Sequence, residues 1–515
     1  MELRSRVGAP RARTAGMAVR FVVESETARE RTSLDRATGG AYTRGVRAGD
    51  VTGRFLETAL VHPPERAGAR RVLLVGLGHR GALVPQRVLQ ATALAAGRAR
   101  TLGAGTLDVF LPAGLGEDTW AHAAAEGAVL GHHRFSAYRT TPAPPPLRSV
   151  DVIAERGPVA RAHAAAVARG ARWGEATCIA RDLAATPGQD LVPERLAARA
   201  TEVAEATGAT ARVLRGAQLE RLGMGCVLGV GRGSPNPPCV VVLEHAPAAE
   251  RPARRGARAR DGGAERVPTI VLVGKGVTFD TGGISLKPRE DMTRMKYDMA
   301  GAAAVIGVFS ALPTLAPAAR IIGILPCAEN MPDGVAYKPG DVLRAMDGST
   351  IEVTNTDAEG RLLLADALCY ARTFSPDTVI DLATLTGAIR IALGTHAAGM
   401  FTANDALADS LLAASAATGE RLWRMPLWPE LYGNELRSDV ADTVNSATRD
   451  GGACIAAAFL SRFTRGMRWA HLDIAGRGWN GADQPHEPKG PTGFGVRLLL
   501  EWLRLSERYT RPAPE

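Results

Sequence analysis

Aromatic residues make up only 5% of this 515-residue sequence, and the chain has just six cysteines and five lysines. The cysteines are scattered and form no Cys-x-x-Cys pair, which argues against a zinc finger or a disulfide scaffold and favours reduced core thiols of a cytosolic protein. No apolar run approaches the ~18 residues that a membrane-spanning helix needs. The motifs His-Glu-x-x-His and Gly-x-Ser-x-Gly are also missing, so zincin and serine-hydrolase chemistry have no local support.

The composition is that of a globular protein, with 46% hydrophobic and 22% charged residues. Strand-like apolar runs alternate with alanine-rich helical stretches, a pattern typical of α/β folds in which helices cover a mostly parallel sheet. We predict a smaller N-terminal α/β domain over residues 20–165 and a larger catalytic α/β/α domain with a mostly parallel central sheet over residues 166–515. A helix over residues 160–185 is expected to connect them.

The net charge of +9 raises the question of nucleic-acid binding. Much of the excess lies in two stretches, and we interpret residues 1–19 as a disordered basic arm without the apolar run of a secretory signal. The second stretch, residues 251–266, belongs to a predicted basic loop insertion over residues 247–267. Neither stretch contains interleaved aromatic residues, so solvated segments are favoured over a nucleic-acid surface.

One glycine motif resembles a dinucleotide-binding fingerprint. Gly76, Gly78 and Gly81 follow an apolar strand with the spacing Gly-x-Gly-x-x-Gly. No acidic residue ends a second strand about 20 residues further on, as ribose binding would require. The motif therefore predicts a tight strand-to-helix turn.

The five lysines are more informative than the net charge, because the chain has 57 arginines. A guanidinium stays protonated, whereas an amine can lose its proton and bind a metal, so lysine in such a chain is expected where arginine cannot replace it. Four of the five lie between residues 275 and 338. We therefore expect the chemistry in this part of the chain.

Three segments concentrate polar residues at predicted strand ends: residues 274–288, 295–301 and 353–361. Four carboxylates brought together there would repel one another, and two divalent cations would balance them, which favours a two-metal site. Helix capping or solvation could explain any one of them alone. The candidate residues in these segments are Lys275, Asp280, Lys287, Asp298, Asp357, Glu359 and Arg361.

These segments contain recognisable motifs. The run NTDAEGRLLLADAL at 355–368, together with GKGVTFDTGGISLKP at 274–288 and KYDMAGAAAV at 296–305, resembles the leucyl aminopeptidase family of dinuclear metallopeptidases, the cytosol aminopeptidases. The resemblance extends over nearly all of residues 180–500. It implies a metal-dependent enzyme that releases N-terminal amino acids, preferably leucine and other apolar residues, from peptides.

The resemblance also implies roles for individual residues. One metal would be held by Lys275, Asp280, Asp298 and Glu359. The other would be held by Asp280, Asp357 and Glu359. Lys287 and Arg361 match the two catalytic positions that do not bind metal. The positions that line the pocket for the first side chain of the substrate are Met295, Thr384, Gly387 and Ala475.

Further properties follow from the same resemblance. The two ions are expected to be Mn²⁺ or Zn²⁺, bicarbonate held by Arg361 is the expected general base, and the assembly is expected to be a cytoplasmic homohexamer. Membrane binding is not expected. Two alternatives stay open at this point: an additional or replacement DNA-binding role, since the chain is basic, and a structural paralogue without activity.

Overall fold

The computed structural model describes residues 1–7, 15–64, 69–112, 117–141, 144–154, 160–247, 267–448 and 450–510. The predicted basic insertion lies almost entirely outside these residues. The chain folds into two compact units: residues 1–178 with 482–489, and residues 179–481 with 490–515. No helix in the described ranges is long and apolar enough to cross a membrane.

The first unit is an α/β structure built on one sheet. Its elements are β1 (Glu2–Val7), β2 (Met17–Val23), α1 (Ala28–Thr38), α2 (Ala41–Ala48), β3 (Thr58–Val61), β4 (Val72–Gly78), α3 (Pro85–Thr101), β5 (Thr106–Phe110), α4 (Glu117–His132), β6 (Ser149–Ala154) and α5 (Ala160–Ala185), whose last turns belong to the second unit. The strand order is β1-β6-β5-β2-β4-β3, and of these neighbours only β3 and β4 pair antiparallel. The predicted connecting helix over residues 160–185 is confirmed.

Residues 2–7 differ from the predicted disordered arm. They form the edge strand β1, which pairs in parallel with β6 from Glu2 opposite Ser149 to Val7 opposite Ala154. An ion pair between Arg6 and the buried Asp151 adds to the backbone pairing. β1 is a half-exposed edge strand, and such strands commonly carry charged residues. Its composition therefore resembles that of a solvated tail. Strand β2 then begins at Met17, inside the predicted arm.

The glycine motif forms the predicted tight turn. β4 ends at Gly78, whose φ is 80°, and a 3-10 turn at Arg80–Ala82 leads into α3. A Cβ atom on Gly76 would lie 1.9 Å from the backbone oxygen of Arg54. These glycines therefore permit a left-handed turn and close backbone packing.

The second unit contains a mixed sheet of nine described strands. Its elements are α6 (Pro193–Thr207), β7 (Thr210–Arg215), α7 (Ala217–Arg221), α8 (Gly225–Gly231), β8 (Cys239–His245), β9 (Thr269–Gly274), β10 (Gly276–Asp280), α9 (Arg289–Met292), α10 (Ala300–Leu315), β11 (Arg320–Asn330), β12 (Val342–Arg344), β13 (Thr350–Glu352), α11 (Glu359–Arg372), β14 (Thr378–Ala383), α12 (Gly387–Leu393), β15 (Ala398–Phe401), α13 (Asp405–Thr418), β16 (Leu422–Arg424), α14 (Pro429–Tyr432), β17 (Thr443–Val444), α15 (Gly452–Ser461), β18 (Trp469–Asp473), β19 (Trp479–Asn480), β20 (Gly490–Pro491) and α16 (Val496–Thr510). Short 3-10 turns lie at Met295–Tyr297 and Gly433–Leu436.

The order of the large sheet is β16-β15-β18-β14-β9-β11-β8-β7, with β10 paired to the end of β11. Its centre is parallel, as predicted: β18, β14, β9 and β11 run in one direction, and β10 joins β11 in parallel. Antiparallel pairs flank this centre on both sides. Every residue of β9 and β14 is buried, and α10 and α11 both pack on β9. This burial explains the continuous apolar runs of the sequence.

Candidate metal centre and active site

Two of the predicted site residues lie at the carboxyl ends of consecutive strands. Lys275 directly follows β9, and Asp280 is the last residue of β10. Both strands pair in parallel with β11, and β10 continues the pairing of β9 along it, so Lys275 lies between the two strands and Asp280 lies at the carboxyl end, where sites form in such folds. Asp280 Oδ1 accepts hydrogen bonds from the backbone N–H of Gly282 at 2.9 Å and from the Asn330 amide at 2.8 Å. These bonds fix the orientation of the carboxylate.

Three further carboxylates lie at the beginnings of two helices. Asp298 is separated from α10 by one residue, Glu359 is the first residue of α11, and Asp357 lies two residues before it. The free N–H groups of a helix N-terminus favour negative charge nearby. Helix α11 begins at Glu359 itself.

Lys275 lies among these carboxylates. Its Nζ is 2.7 Å from Glu359 Oε1 and 2.8 Å from Asp298 Oδ2, and it donates to the backbone oxygen of Thr384 at 2.9 Å. Burial alone would lower the pKa of Lys275, but the charges of Asp298, Glu359 and Asp280 outweigh this effect and raise it. Without metal ions, Lys275 is therefore an ammonium group that neutralises its neighbours.

Lys287 holds the other side of the cluster. Its Nζ lies 2.7 Å from Asp280 Oδ2 and forms an ion pair with Asp357. Burial lowers the pKa of Lys287, and the surrounding carboxylates raise it above its ordinary value. Burial, followed by the charge of Asp280, raises the pKa of Asp357 to about 6. The two lysines thus separate carboxylates that would otherwise repel one another.

The donor atoms in this cluster fit divalent cations. Asp280, Asp357 and Glu359 each place an oxygen within 4.8 Å of the others. Glu359 Oε2 is buried and accepts no hydrogen bond from any described residue, although its partner oxygen contacts Lys275. Carboxylate oxygens together with one amine are compatible ligands for Mn²⁺, Mg²⁺ or Zn²⁺. The structure therefore brings all five predicted ligand residues into one cluster that can hold metal ions.

Three residues that the sequence prediction missed support the ligands. Asn330 ends β11 opposite Asp280 in the parallel register, and its amide also donates to the Thr356 backbone oxygen at 3.0 Å. The Tyr337 hydroxyl donates to the same oxygen at 2.7 Å. The Thr356 hydroxyl in turn donates to the Gly282 backbone oxygen at 2.6 Å. This buried network connects the segment after β10 with the segment before α11, so it fixes the position of Asp280 relative to Asp357.

A cavity of about 290 Å³ opens beside the cluster. It is lined by all five candidate ligands, by Lys287 and by the four predicted pocket residues Met295, Thr384, Gly387 and Ala475. A Cβ atom on Gly387 would meet no atom within 4 Å, so the cavity is open at this position. Ten lining residues were not predicted from the sequence, among them the charged or aromatic residues Arg294, Tyr297, Arg390 and Trp479.

Asp473 organises the wall of this cavity. Its buried carboxylate accepts hydrogen bonds from the Thr386 hydroxyl at 2.6 Å and from the backbone N–H groups of Leu385 and Ala475, both at 3.2 Å. Thr384, in the same segment, donates its hydroxyl to Asp298 Oδ1 at 2.6 Å. This part of the cavity wall is therefore linked directly to the candidate ligands.

Arg361 lies at the third position of α11 and is buried. Its Nη1 donates to the backbone oxygen of Asn445 at 2.8 Å, and its Nε has no hydrogen-bond partner among the described residues. Burial lowers its pKa to about 10, so the guanidinium stays charged at neutral pH. Arg361 is not among the residues that line the cavity, although it lies two residues beyond Glu359.

Comparisons with known proteins agree with this geometry. Residues 178–500 match the catalytic-domain model of the cytosol aminopeptidase family, and residues 19–142 match its N-terminal-domain model. A probable cytosol aminopeptidase of Roseiflexus castenholzii is 44% identical, with 89% of this chain and 92% of the relative covered.

Solved structures show the same similarity. The bottromycin maturation enzyme BotP in complex with Mn matches with a TM-score of 0.83 at 40% identity, covering 96% of this chain and 100% of the other. A tomato leucine aminopeptidase mutant matches with a TM-score of 0.84 at 32% identity, covering 98% of this chain and 96% of the other. The chain therefore belongs to the cytosol aminopeptidase family and is a metal-dependent aminopeptidase.

Proposed function

We propose that this enzyme uses two divalent ions per subunit to release N-terminal leucine and other apolar residues from peptides. One observation carries the proposal: oxygens of Asp280, Asp357 and Glu359 converge within 4.8 Å in the wall of a side-chain-sized cavity. The preference for apolar residues is supported by Met295 and Ala475 in that wall. A small cavity beside a metal centre suits removal of one residue at a time.

The proposed ligands are those implied by the family motifs. Lys275, Asp280, Asp298 and Glu359 would hold one ion, and Asp280, Asp357 and Glu359 the other, as Mn²⁺ or Zn²⁺. The solved structure of the 40% identical BotP is a complex with Mn, which supports manganese as the metal. Divalent ions in such a site lower the pKa of water and so supply hydroxide near neutral pH. Lys275 can bind a metal only as a neutral amine, so metal binding must release its proton.

Two cationic residues are proposed to act without binding metal. Lys287 lies between Asp280 and Asp357, where its ammonium group can donate to the oxyanion that develops on the scissile carbonyl. Arg361 is proposed to hold a bicarbonate that serves as general base, because its buried Nε has an unused N–H donor. The start of α11 adds free backbone N–H groups beside it.

We further propose a cytoplasmic homohexamer. Exposed apolar side chains on the catalytic unit support self-association, notably Trp423 at 63%, Leu431 at 59% and Val440 at 69% exposure. Light scattering of an active sample tests the assembly, and a mass near 54.1 kDa would contradict it.

Metal analysis of the purified protein, coupled to hydrolysis of a panel of amino-acid amides, tests the proposed activity. We expect two ions per chain and fastest hydrolysis of leucine amide, with activity lost on chelation and restored by Mn²⁺ or Zn²⁺. A fully loaded protein without turnover would instead favour a structural paralogue. DNA binding that weakens as salt rises would favour the nucleic-acid alternative.

A further inference from the structure

A cationic side chain in the cavity wall, that of Arg390, contacts no partner among the residues that the structure describes. Arg390 lines the cavity and is solvent-exposed, and its guanidinium forms no hydrogen bond or ion pair with any residue that the structure describes. It lies on α12, three residues after Gly387, so the two residues share one face of the helix. Because an α-helix rises about 1.5 Å per residue, Arg390 lies about 4.5 Å beyond Gly387 along the helix axis.

The other charges of the cavity are already engaged. Its lining carboxylates are Asp280, Asp298, Asp357 and Glu359, and each contacts Lys275 or Lys287. The same four are the proposed metal ligands, so none is left to attract a cationic substrate side chain. Arg390 therefore presents a positive charge that no lining carboxylate balances.

We propose that Arg390 forms a carboxylate-binding subsite at the far end of the pocket for the first side chain. The enzyme would then accept peptides that begin with glutamate, in addition to those that begin with apolar residues, and would discriminate against N-terminal lysine and arginine. This inference rests on the proposed aminopeptidase function. A Cβ atom on Gly387 would meet no atom within 4 Å, which leaves room for a substrate side chain beside the start of α12.

Physical chemistry favours glutamate for this position. A guanidinium can donate two parallel hydrogen bonds to a carboxylate, and no existing ion pair of Arg390 has to be broken first. Glutamine has nearly the same shape and differs from glutamate in charge. The ratio of kcat/KM for glutamate and glutamine substrates therefore isolates the contribution of the charge.

The test compares p-nitroanilides of glutamate, glutamine, leucine and lysine in the wild type, Arg390→Gln and Arg390→Lys. We expect Arg390→Gln to lower the glutamate-to-glutamine ratio of kcat/KM about tenfold. The same variant should raise kcat/KM for the lysine substrate relative to the leucine substrate, whereas Arg390→Lys should keep much of the glutamate-to-glutamine ratio. Arg421→Gln is the matched control, because Arg421 is exposed and does not line the cavity. Because both kcat/KM values of a ratio are measured on the same protein, a difference in the fraction of active enzyme between variants does not change the ratio.

Two different results would contradict the proposal, and they can be told apart. A glutamate-to-glutamine ratio that stays the same in Arg390→Gln, in an enzyme that hydrolyses the leucine substrate, would overturn this inference alone. A metal-loaded wild type that hydrolyses no leucine substrate would overturn the proposed function and this inference together.

Discussion

The Asn330 amide donates to Asp280 Oδ1 at 2.8 Å, across two parallel strands and 50 residues of sequence. The same nitrogen donates to the backbone oxygen of Thr356 at 3.0 Å, next to Asp357. One buried side chain thus fixes two candidate ligands that come from different segments.

Replacing this donor should weaken metal binding. Asn330→Asp keeps the shape of the side chain but removes the N–H donor and places a carboxylate against that of Asp280. Loss of such supporting contacts typically costs 10- to 100-fold in metal affinity or activity. Titration of metal-free protein with Mn²⁺, with kcat/KM in parallel, measures the effect. Asn434→Asp, the same exchange at an exposed residue that does not line the cavity, is the control. Equal affinities in wild type and Asn330→Asp would contradict the role.

Lys275→Arg should be inactive despite its unchanged formal charge. A guanidinium has no lone pair to donate, and the space is tight because a Cβ on Gly360 would lie only 2.7 Å from Lys275 Nζ. We expect loss of one ion per chain and at least about 100-fold lower turnover. Lys338→Arg, an identical exchange in an exposed ion pair with Asp341, should behave like the wild type. Full metal content in Lys275→Arg would show that the amine is not a ligand.

Removal of either carboxylate at the start of α11 should abolish activity. Asp357→Ala and Glu359→Ala each delete an oxygen ligand that no other described side chain near the cluster can replace. Because Asp357 is about one-third exposed, its variant is expected to stay folded. Turnover, metal content and circular dichroism check this prediction, with Asp405→Ala as an exposed control. Wild-type turnover in either metal-loaded variant would mean that the ligands are assigned wrongly.

Arg361→Ala should separate metal binding from catalysis. We expect both ions and substrate binding to be retained and kcat to fall by roughly 10²- to 10⁴-fold, the usual contribution of a general base. Added bicarbonate should stimulate the wild type far more than the variant. Arg372→Ala, at the other end of α11, is the control. An equal bicarbonate response in both proteins would leave Arg361 with a structural role only.

The catalytic unit should lose stability as the pH rises, because of Asp366. Burial raises the pKa of this carboxyl group to about 7, although the N–H groups of Val227 and Met346 donate to it. An unfolded aspartate has a pKa of about 3.9, so the native state binds the proton more tightly. The contribution of protonated Asp366 to the free energy of unfolding is therefore complete below pH ~4 and is lost as the pH rises to about 7.

Denaturant unfolding at pH 5 and pH 8, with saturating Mn²⁺, measures this dependence. A single such group changes the free energy of unfolding by at most about 1.4 kcal/mol per pH unit within that window. Asp366→Asn should be less stable, because an amide cannot accept from both N–H groups, but its stability should vary less with pH. An identical pH dependence in both proteins would show that Asp366 is not responsible.

The sequence predicted the catalytic sheet and the ligand cluster because both leave local patterns. Buried parallel strands are apolar throughout, as in β9 and β14, and the candidate ligands lie in short polar segments after β9 and β10 or at the beginnings of α10 and α11. Asn330 leaves no such pattern, since its proximity to Asp280 arises only from the pairing of β10 with β11. The edge strand β1 was missed because its pairing with β6, 147 residues further on, is not encoded in its own composition.

Lys275 donates to Thr384, 109 residues away along the chain, and to Asp298, 23 residues away. The donor atoms of the centre therefore meet only after the parallel strands have assembled, and an unfolded chain offers the ions little to bind. Ligands that bind only the native state stabilise it by mass action, by about 4 kcal/mol at a concentration 1,000 times the Kd. Metal supply would then govern the lifetime of the enzyme as well as its rate, since a chain deprived of ions opens more often and becomes a substrate for other proteases.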